Sequence, residues 1–190
     1  YGWNAGASDN VRGFVMGGSA SPLVTTPRIA SIEVITMAST GDANMFGDLT
    51  KNSRRAAGCS SPTRAIHFTG RDDPARTKDI QFFTMATQGN AVKFGELTDD
   101  RDSFAGAFSS TTRGIVGGGN KPSQTSQAYK FTYATETYGS EQYLPPNNSG
   151  PGNGQRSETA SAGNAELAYV ALGRMPHGMT STMFKYTFAT

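Results

Sequence analysis

The side chains with reactive or ligating chemistry are few: one cysteine, two histidines and a scatter of aspartates. Cys59 could act as a thiolate nucleophile, but it stands in a run of small residues, "AGCSS", where a thiol behaves as a small buried apolar group. His67 could act as a base or a ligand, yet its distance from His177 gives no metal-binding spacing. Asp72, Asp73, Asp99, Asp100 and Asp102 carry calcium-type oxygens without the spaced D-x-[DN]-x-[DN]-G loop that would gather them. There is no G-x-S-x-G, no phosphate-binding glycine loop and no H-E-x-x-H. No catalytic constellation is legible, so the expectation is a non-enzymatic chain with no cofactor and no metal.

The elements that would position these residues announce themselves by repetition. "ITMASTGDANMFGDLT" at 35–50 returns as "FTMATQGNAVKFGELT" at 83–98, and the T-x-A tract recurs at Thr36, Thr84, Thr132 and Thr187. A second tract keeps step: "RGFVMGG" from Arg12, "RAIHFTG" from Arg64, "RGIVGGG" from Arg113 and "LAYVALG" from Leu167, closing on Gly18, Gly70, Gly119 and Gly173. A small-residue tract precedes it each time, and "FGDLT" or "FGELT" follows the T-x-A tract in the first two copies. One period of about 48 residues thus holds four strand-length segments separated by turn residues. His67 falls in the column of Val15, Val116 and Val170, and Cys59 in that of Ala7, Phe108 and Ala162. Both columns call for packing.

In the third segment large residues (Ile35, Phe83, Phe131, Tyr186, then Met37, Met85, Tyr133, Phe188) alternate with small ones (Thr36, Thr84, Thr132, Thr187, then Ala38, Ala86, Ala134, Ala189). Alternation across a strand gives each sheet a bulky and a shallow face, so the bulky face of one copy should pack on the shallow face of another. The expected fold is all-β: a β-propeller of about four four-stranded blades, or part of a larger ring, over residues 1–190 as one domain. The blades fall at about 1–50, 51–98, 99–150 and 151–190. Either the opening residues near Trp3 complete the last sheet and fasten the ring, or further blades lie outside this chain. Residues 164–173, "NAELAYVALG", have helix-forming composition, but the repeat register places a strand there.

The composition agrees. The chain is 36% hydrophobic with 23 glycines, a turn-rich β make-up. Its net charge of +2 supplies no field for nucleic acid, and no apolar run is long enough for membrane insertion. A single cysteine excludes an intrachain disulfide. The first residue is Tyr1, which marks a processed chain or a piece of a longer one.

Up-and-down strands sort the turns into two sets. On one side lie the Ser-Ser and Thr-Gly turns; on the other lie the loops after each closing glycine, each with a proline (Pro22, Pro74, Pro122, Pro176), and the connections "KNSRR", "DDRD" and "PPNNSGPGNGQR". This second set carries most of the charge. The candidate binding residues are on it: Arg71, Asp72, Asp73, Arg76, Lys121, Tyr143, Asn147, Asn148, Asn153 and Arg156. Such a face is either a solvated surface of mixed charge or a contact surface for a neighbouring protein or a glycan. Arg12, Arg64 and Arg113 recur once per copy and should hold the copy together, through a turn carbonyl or an acid such as Asp48 or Glu96.

The paired glycines and the period resemble kelch-type propeller repeats, although the tryptophan and tyrosine of cellular kelch blades are missing. The pattern T-x-A-T-x-G-N-A-x-x-F-G-x-L-T at Thr84–Thr98, with A-x-C-S-S-x-T-R before it, is similar to a Gly/Thr-rich kelch-like repeat of virion structural proteins in tailed bacteriophages, especially cyanophages. Copies one to three carry the repeat and copy four has diverged. The resemblance implies a structural or adhesive component of a tail, fibre or capsid appendage. Its implied location is the extracellular particle, and its implied partners are other virion proteins, itself or a host surface glycan. It supplies no active site. The alternatives are a propeller lectin, which needs aromatic platforms beside the loops, where Tyr129 and Tyr143 are the nearest, and a propeller glycosidase, whose S-x-D-x-G-x-x-W motif is absent.

Overall fold

A computed structural model describes residues 2–20, 29–72, 74–104, 106–135, 138–143 (backbone only), 157–164, 166–171, 173–176, 178–179, 181 and 183–188. Among them there are strands, turns and no helix. The chain divides into two compact units, Tyr1–Asp102 and Ser103–Thr190.

The first unit holds two sheets. β1 (Ala5–Ser8), β2 (Arg12–Met16), β3 (Ser31–Thr36) and β4 (Asn44–Asp48) pair antiparallel in chain order. β5 (Ala57–Ser60), β6 (Arg64–Phe68), β8 (Ala75–Thr84) and β9 (Val92–Arg101) repeat that meander, and the short β7 (Arg71–Asp72) pairs with the start of β8. Ala7 lies opposite Phe14, and Cys59 opposite Ile66, so the two copies share one register. The residues near Trp3 therefore lead into the first sheet.

The second unit repeats the plan. β10 (Gly106–Ser109), β11 (Arg113–Gly117), β14 (Gln127–Thr132) and β15 (Tyr138–Tyr143) form a third sheet. β16 (Ala160–Gly163), β17 (Leu167–Ala171) and β20 (Met183–Thr187) form the described part of a fourth. β17 settles the ambiguous segment: five residues with helix-forming composition pair across two strands, because Ala168 and Val170 are needed in the core. Two small hairpins, β12 (Asn120–Lys121) with β13 (Ser123–Gln124) and β18 (Arg174–Met175) with β19 (Gly178–Met179), follow the closing glycines. Three of the four proline loops of the sequence are thus hairpins, with Pro74, Pro122 and Pro176 at their turns, where a missing N–H costs nothing, and Pro22 lies outside the described residues.

One turn is common to all four copies. Asp9, Ser61, Ser110 and Asn164 each sit just past the first strand. Each accepts two backbone N–H groups through its side-chain oxygen: Asp9 Oδ1 from Val11 (2.8 Å) and Arg12 (2.6 Å), Ser61 Oγ from Thr63 and Arg64, Ser110 Oγ from Thr112 and Arg113, Asn164 Oδ1 from Glu166 and Leu167. The side chain stands in for a backbone turn carbonyl, so any short residue with an oxygen serves.

Within the first unit the bulky face of the second sheet, Ala65, Phe83 and Met85, packs on the opposite face of the first, Phe14, Met16, Ile32 and Phe46. Phe14 lies 5.1 Å from Phe46 and 5.4 Å from Phe83, edge to face. That opposite face is not shallow: the small third-segment residues Thr36, Ala38, Thr84 and Ala86 are exposed at the strand end and turn, while phenylalanines from neighbouring strands fill the interface. Each such ring is worth about 1.5–3 kcal/mol on burial. The first strands also touch: Ser60 Oγ donates to the Ser8 carbonyl at 2.7 Å and accepts from Ser8 N–H, which the small residues between them allow. The second unit does the same, with Phe108, Ile115, Val170, Phe184 and Phe188 in its core and Ser161 Oγ donating to Ala107 O at 3.0 Å.

Candidate functional site

The charged end of the second sheet is built by strand extension. β8 and β9 run for ten residues each, against six in β3 and five in β4, so residues 71–72, 75–79 and 99–101 form strand where loops were expected. The extension places Arg71 opposite Arg76 and Thr77 opposite Arg101. Arg54 joins the row, since its backbone exchanges two hydrogen bonds with Arg71. Residues directly opposite share a face, so Arg54, Arg71 and Arg76 project together.

Arg54 is buried, and Asp102 supplies an anion to the two part-exposed arginines of the row. Its carboxylate is 1% exposed and lies 3.3 Å from Arg76 Nε and 3.7 Å from Arg71 Nη1, while both guanidiniums remain about one-third exposed. Arg71 Nη2 also donates to the Pro74 carbonyl at 3.1 Å, tying the hairpin turn to the pair. Arg101 is fully buried, with Nη2 3.3 Å from Asp99. The buried carboxylate lies at ion-pair distance from two part-exposed guanidiniums and neither of its oxygens is hydrogen-bonded, so the attraction is coulombic.

Beside this row Trp3 is 42% exposed, with the Arg54 guanidinium 5.3 Å and the Arg55 guanidinium 5.0 Å from its ring centroid. Arg55 N–H donates to the Trp3 carbonyl at 2.9 Å. Trp3 and Arg55 both have positive φ, as do Ser103 and Glu158, so a non-glycine left-handed residue stands before the first strand of each of the four meander sheets.

A second charged group lies on the same sheet. Lys78 and Lys93 both pair with Glu96, and Lys51 with Asp79. Hydrogen bonds from the Lys93 and Lys78 ammoniums hold the Glu96 carboxyl down to about 2. Glu96 is thereby taken, and Arg12 finds its acid within its own turn: Nη2 lies 2.8 Å from Asp9 Oδ2 and the guanidinium also stacks on Phe14. Burial alone would raise the Asp9 carboxyl; the Val11 and Arg12 N–H donors and the Arg12 guanidinium more than reverse that and leave it lowered. Arg64 stacks on Phe82 at 4.8 Å.

Of the residues singled out in the sequence, the structure brings together Arg71 and Arg76. Asp72 is half-buried on β7, opposite Ala75. Lys121 is half-buried in the β12–β13 hairpin, opposite Ser123. Tyr143 ends β15 opposite Gln127, and nothing further is described of its side chain. Asp73, Asn147, Asn148, Asn153 and Arg156 lie outside the described residues. Tyr129 is buried and offers no platform. Sequence reasoning missed Asp102 as the anchor and Trp3 as the aromatic. An unrepeated aromatic next to a repeat start was the available signal.

Cys59 and His67 are both buried among packing residues. Desolvation pushes His67 down to about 3, and neither ring nitrogen has a hydrogen-bond partner, so the ring is neutral. Among the described residues no three His, Cys, Asp or Glu side chains group to hold a metal, and no helix is long and apolar enough to cross a membrane. No protein-family model matches the chain, and no curated protein matches it.

Proposed function

We propose that this chain is a non-enzymatic structural or adhesive module of a tailed-phage virion, built from kelch-like propeller blades and carried on a tail, fibre or capsid appendage of the extracellular particle. It works by presenting a rigid hairpin face to other virion proteins, to further copies of itself or to a host receptor. The observation that carries this reading is the part-exposed Arg71–Arg76 pair beside the buried Asp102, a surface made by lengthening two strands beyond the repeat. Supporting it, each unit stacks two meander sheets through their aromatic faces, the way blades stack. An antibody against the chain, applied to purified particles that encode it, is expected to label the tail or an appendage in electron micrographs. Particles without label, or turnover of a polysaccharide by the purified chain, would sink the proposal.

A carbohydrate-binding reading is favoured by one observation, the half-exposed Trp3 ring beside the half-buried Arg55, since a sugar face stacks on an indole while a guanidinium bonds its oxygens. On a glycan array it predicts saturable binding that Trp3→Ala abolishes. Equal signal from the variant removes this reading.

A further inference from the structure

The first sheet breaks a pattern that the other three keep. In the second, third and fourth copies the bulky columns are buried or half-buried: Phe83, Phe131 and Tyr186 in one, Met85, Tyr133 and Phe188 in the next. In the first copy the same positions are Ile35, 41% exposed, and Met37, 54% exposed. Val11 and Met45 extend this open face, Met45 opposite Glu33 and Val11 joined to Met37 by a backbone hydrogen bond of 2.8 Å. The adjoining turn agrees. In the second copy Gly89 and Ala91 donate to the Phe46 and Asp48 carbonyls of β4, and Asn90 Oδ1 accepts from Asp48 N–H; Ala91 is buried there, whereas the equivalent Ala43 is exposed.

The fourth sheet is open on its other face. Tyr169 is 39% exposed where Phe14, Ile66 and Ile115 are buried, and Met183 is 63% exposed where Ile32, Ile80 and Ala128 are buried. Lys185, opposite Tyr169, and Ala162 are exposed on that same face. The chain thus carries both halves of the interface that joins its first sheet to its second. One is the bulky half on the first sheet, and the other is the receiving half on the fourth. Among the described residues the charges on these faces are acidic on the first, Glu33 and Asp48, and basic on the fourth, Lys185, so the signs are opposite.

We infer that the open face of the first sheet receives the open face of the fourth sheet of a second copy, so that chains associate head to tail through the same packing that stacks sheets within a unit. The contact is heterologous: it closes into a ring if the rotation allows and otherwise propagates. The inference rests on the burial columns and is independent of any virion assignment.

Sedimentation velocity on the whole chain across rising concentration, with Ile35→Arg and Tyr169→Arg, tests it. Both replaced side chains are substantially exposed, and unchanged far-UV circular dichroism confirms that the variants fold. The wild type should assemble, and each variant alone should self-associate roughly a hundredfold more weakly. An equimolar mixture should form a two-chain complex and nothing larger, because each variant retains the face the other has lost. A wild type that stays a single chain overturns the inference, whether its Met37 is protected from oxidation, meaning closure within the chain, or reactive. Variants that assemble like the wild type, or a mixture that stays as single chains, also overturn it.

Discussion

Replacing His67 by valine should flatten the acid sensitivity of this fold. The ring is buried and neutral, held down to about 3 by desolvation from an ordinary value of 6.5. Across its two neighbouring strands it faces Gly58 and Gln81, neither of which titrates. A base whose folded value is depressed stabilises the fold above the unfolded value, and the fold loses stability as pH falls from 6.5 towards 3, because only the unfolded chain takes up the proton. At pH 5 the unfolded imidazole is roughly thirtyfold more often charged than neutral, which withdraws about 2 kcal/mol relative to pH 7. Valine fills this column in the other three copies, at Val15, Val116 and Val170. At pH 7 the smaller side chain leaves space but removes two unpaired buried nitrogens, and these effects roughly offset to within about 1 kcal/mol. Urea unfolding of both proteins at pH 7 and pH 5 checks the expectation. The wild type should lose about 2 kcal/mol more than the variant over that interval. Equal losses would refute the claim that an uncharged, unpaired imidazole sits in the core.

Asp102→Ala leaves the part-exposed Arg71 and Arg76 side by side without their anion and should cost about 1–3 kcal/mol by chemical denaturation; no measurable cost would mean the pairing contributes nothing. Gly58→Ala places a methyl group against the Gly6 carbonyl oxygen and 2.6 Å from Met16 Cε, so the first strands must part. The expected destabilisation is about 1–3 kcal/mol in a thermal melt, whereas the same change at Gly89, where nothing lies nearby, should be mild. The Glu96 carboxyl, held down to about 2, contributes stability that is present above its ordinary 4.5 and lost as pH falls through 2. Glu96→Gln should remove part of the acid transition below pH 4.5 at low salt and have no effect at 1 M salt, as expected for exposed lysine partners; a salt-independent change would contradict the assignment.

The sheets were legible because the repeat samples the same structural problem four times. Tyr169 and Val170 look helical alone and become strand when set beside Ile115 and Val116. His67 could be placed in the packing from its valine column for the same reason. Residues that occur once were not legible. The meeting of Arg71, Arg76 and Asp102 depends on β8 and β9 continuing beyond the repeated tracts, and the columns carry no information there. Arg12 was expected to bond a turn carbonyl or an acid such as Asp48 or Glu96, yet the nearer Asp9 takes it, because a turn brings residues three apart into bonding range. The small Thr and Ala columns suggested a shallow face, but they mark the strand end. Alternation alone does not reveal where a strand stops.

The turn shared by Asp9, Ser61, Ser110 and Asn164 has a consequence for descent. It closes with one side-chain oxygen and two amides from its own copy, and borrows nothing from a neighbour. Four different spellings, three residue types among them, give one geometry, so mutation can move through Asp, Ser and Asn without passing through a broken intermediate. A copy that carries its own chain reversal can be duplicated, lost or exchanged between genes as a unit. Lineages of such proteins are then expected to differ in copy number sooner than in the shape of a copy, and to erode beyond recognition by sequence while the meander persists.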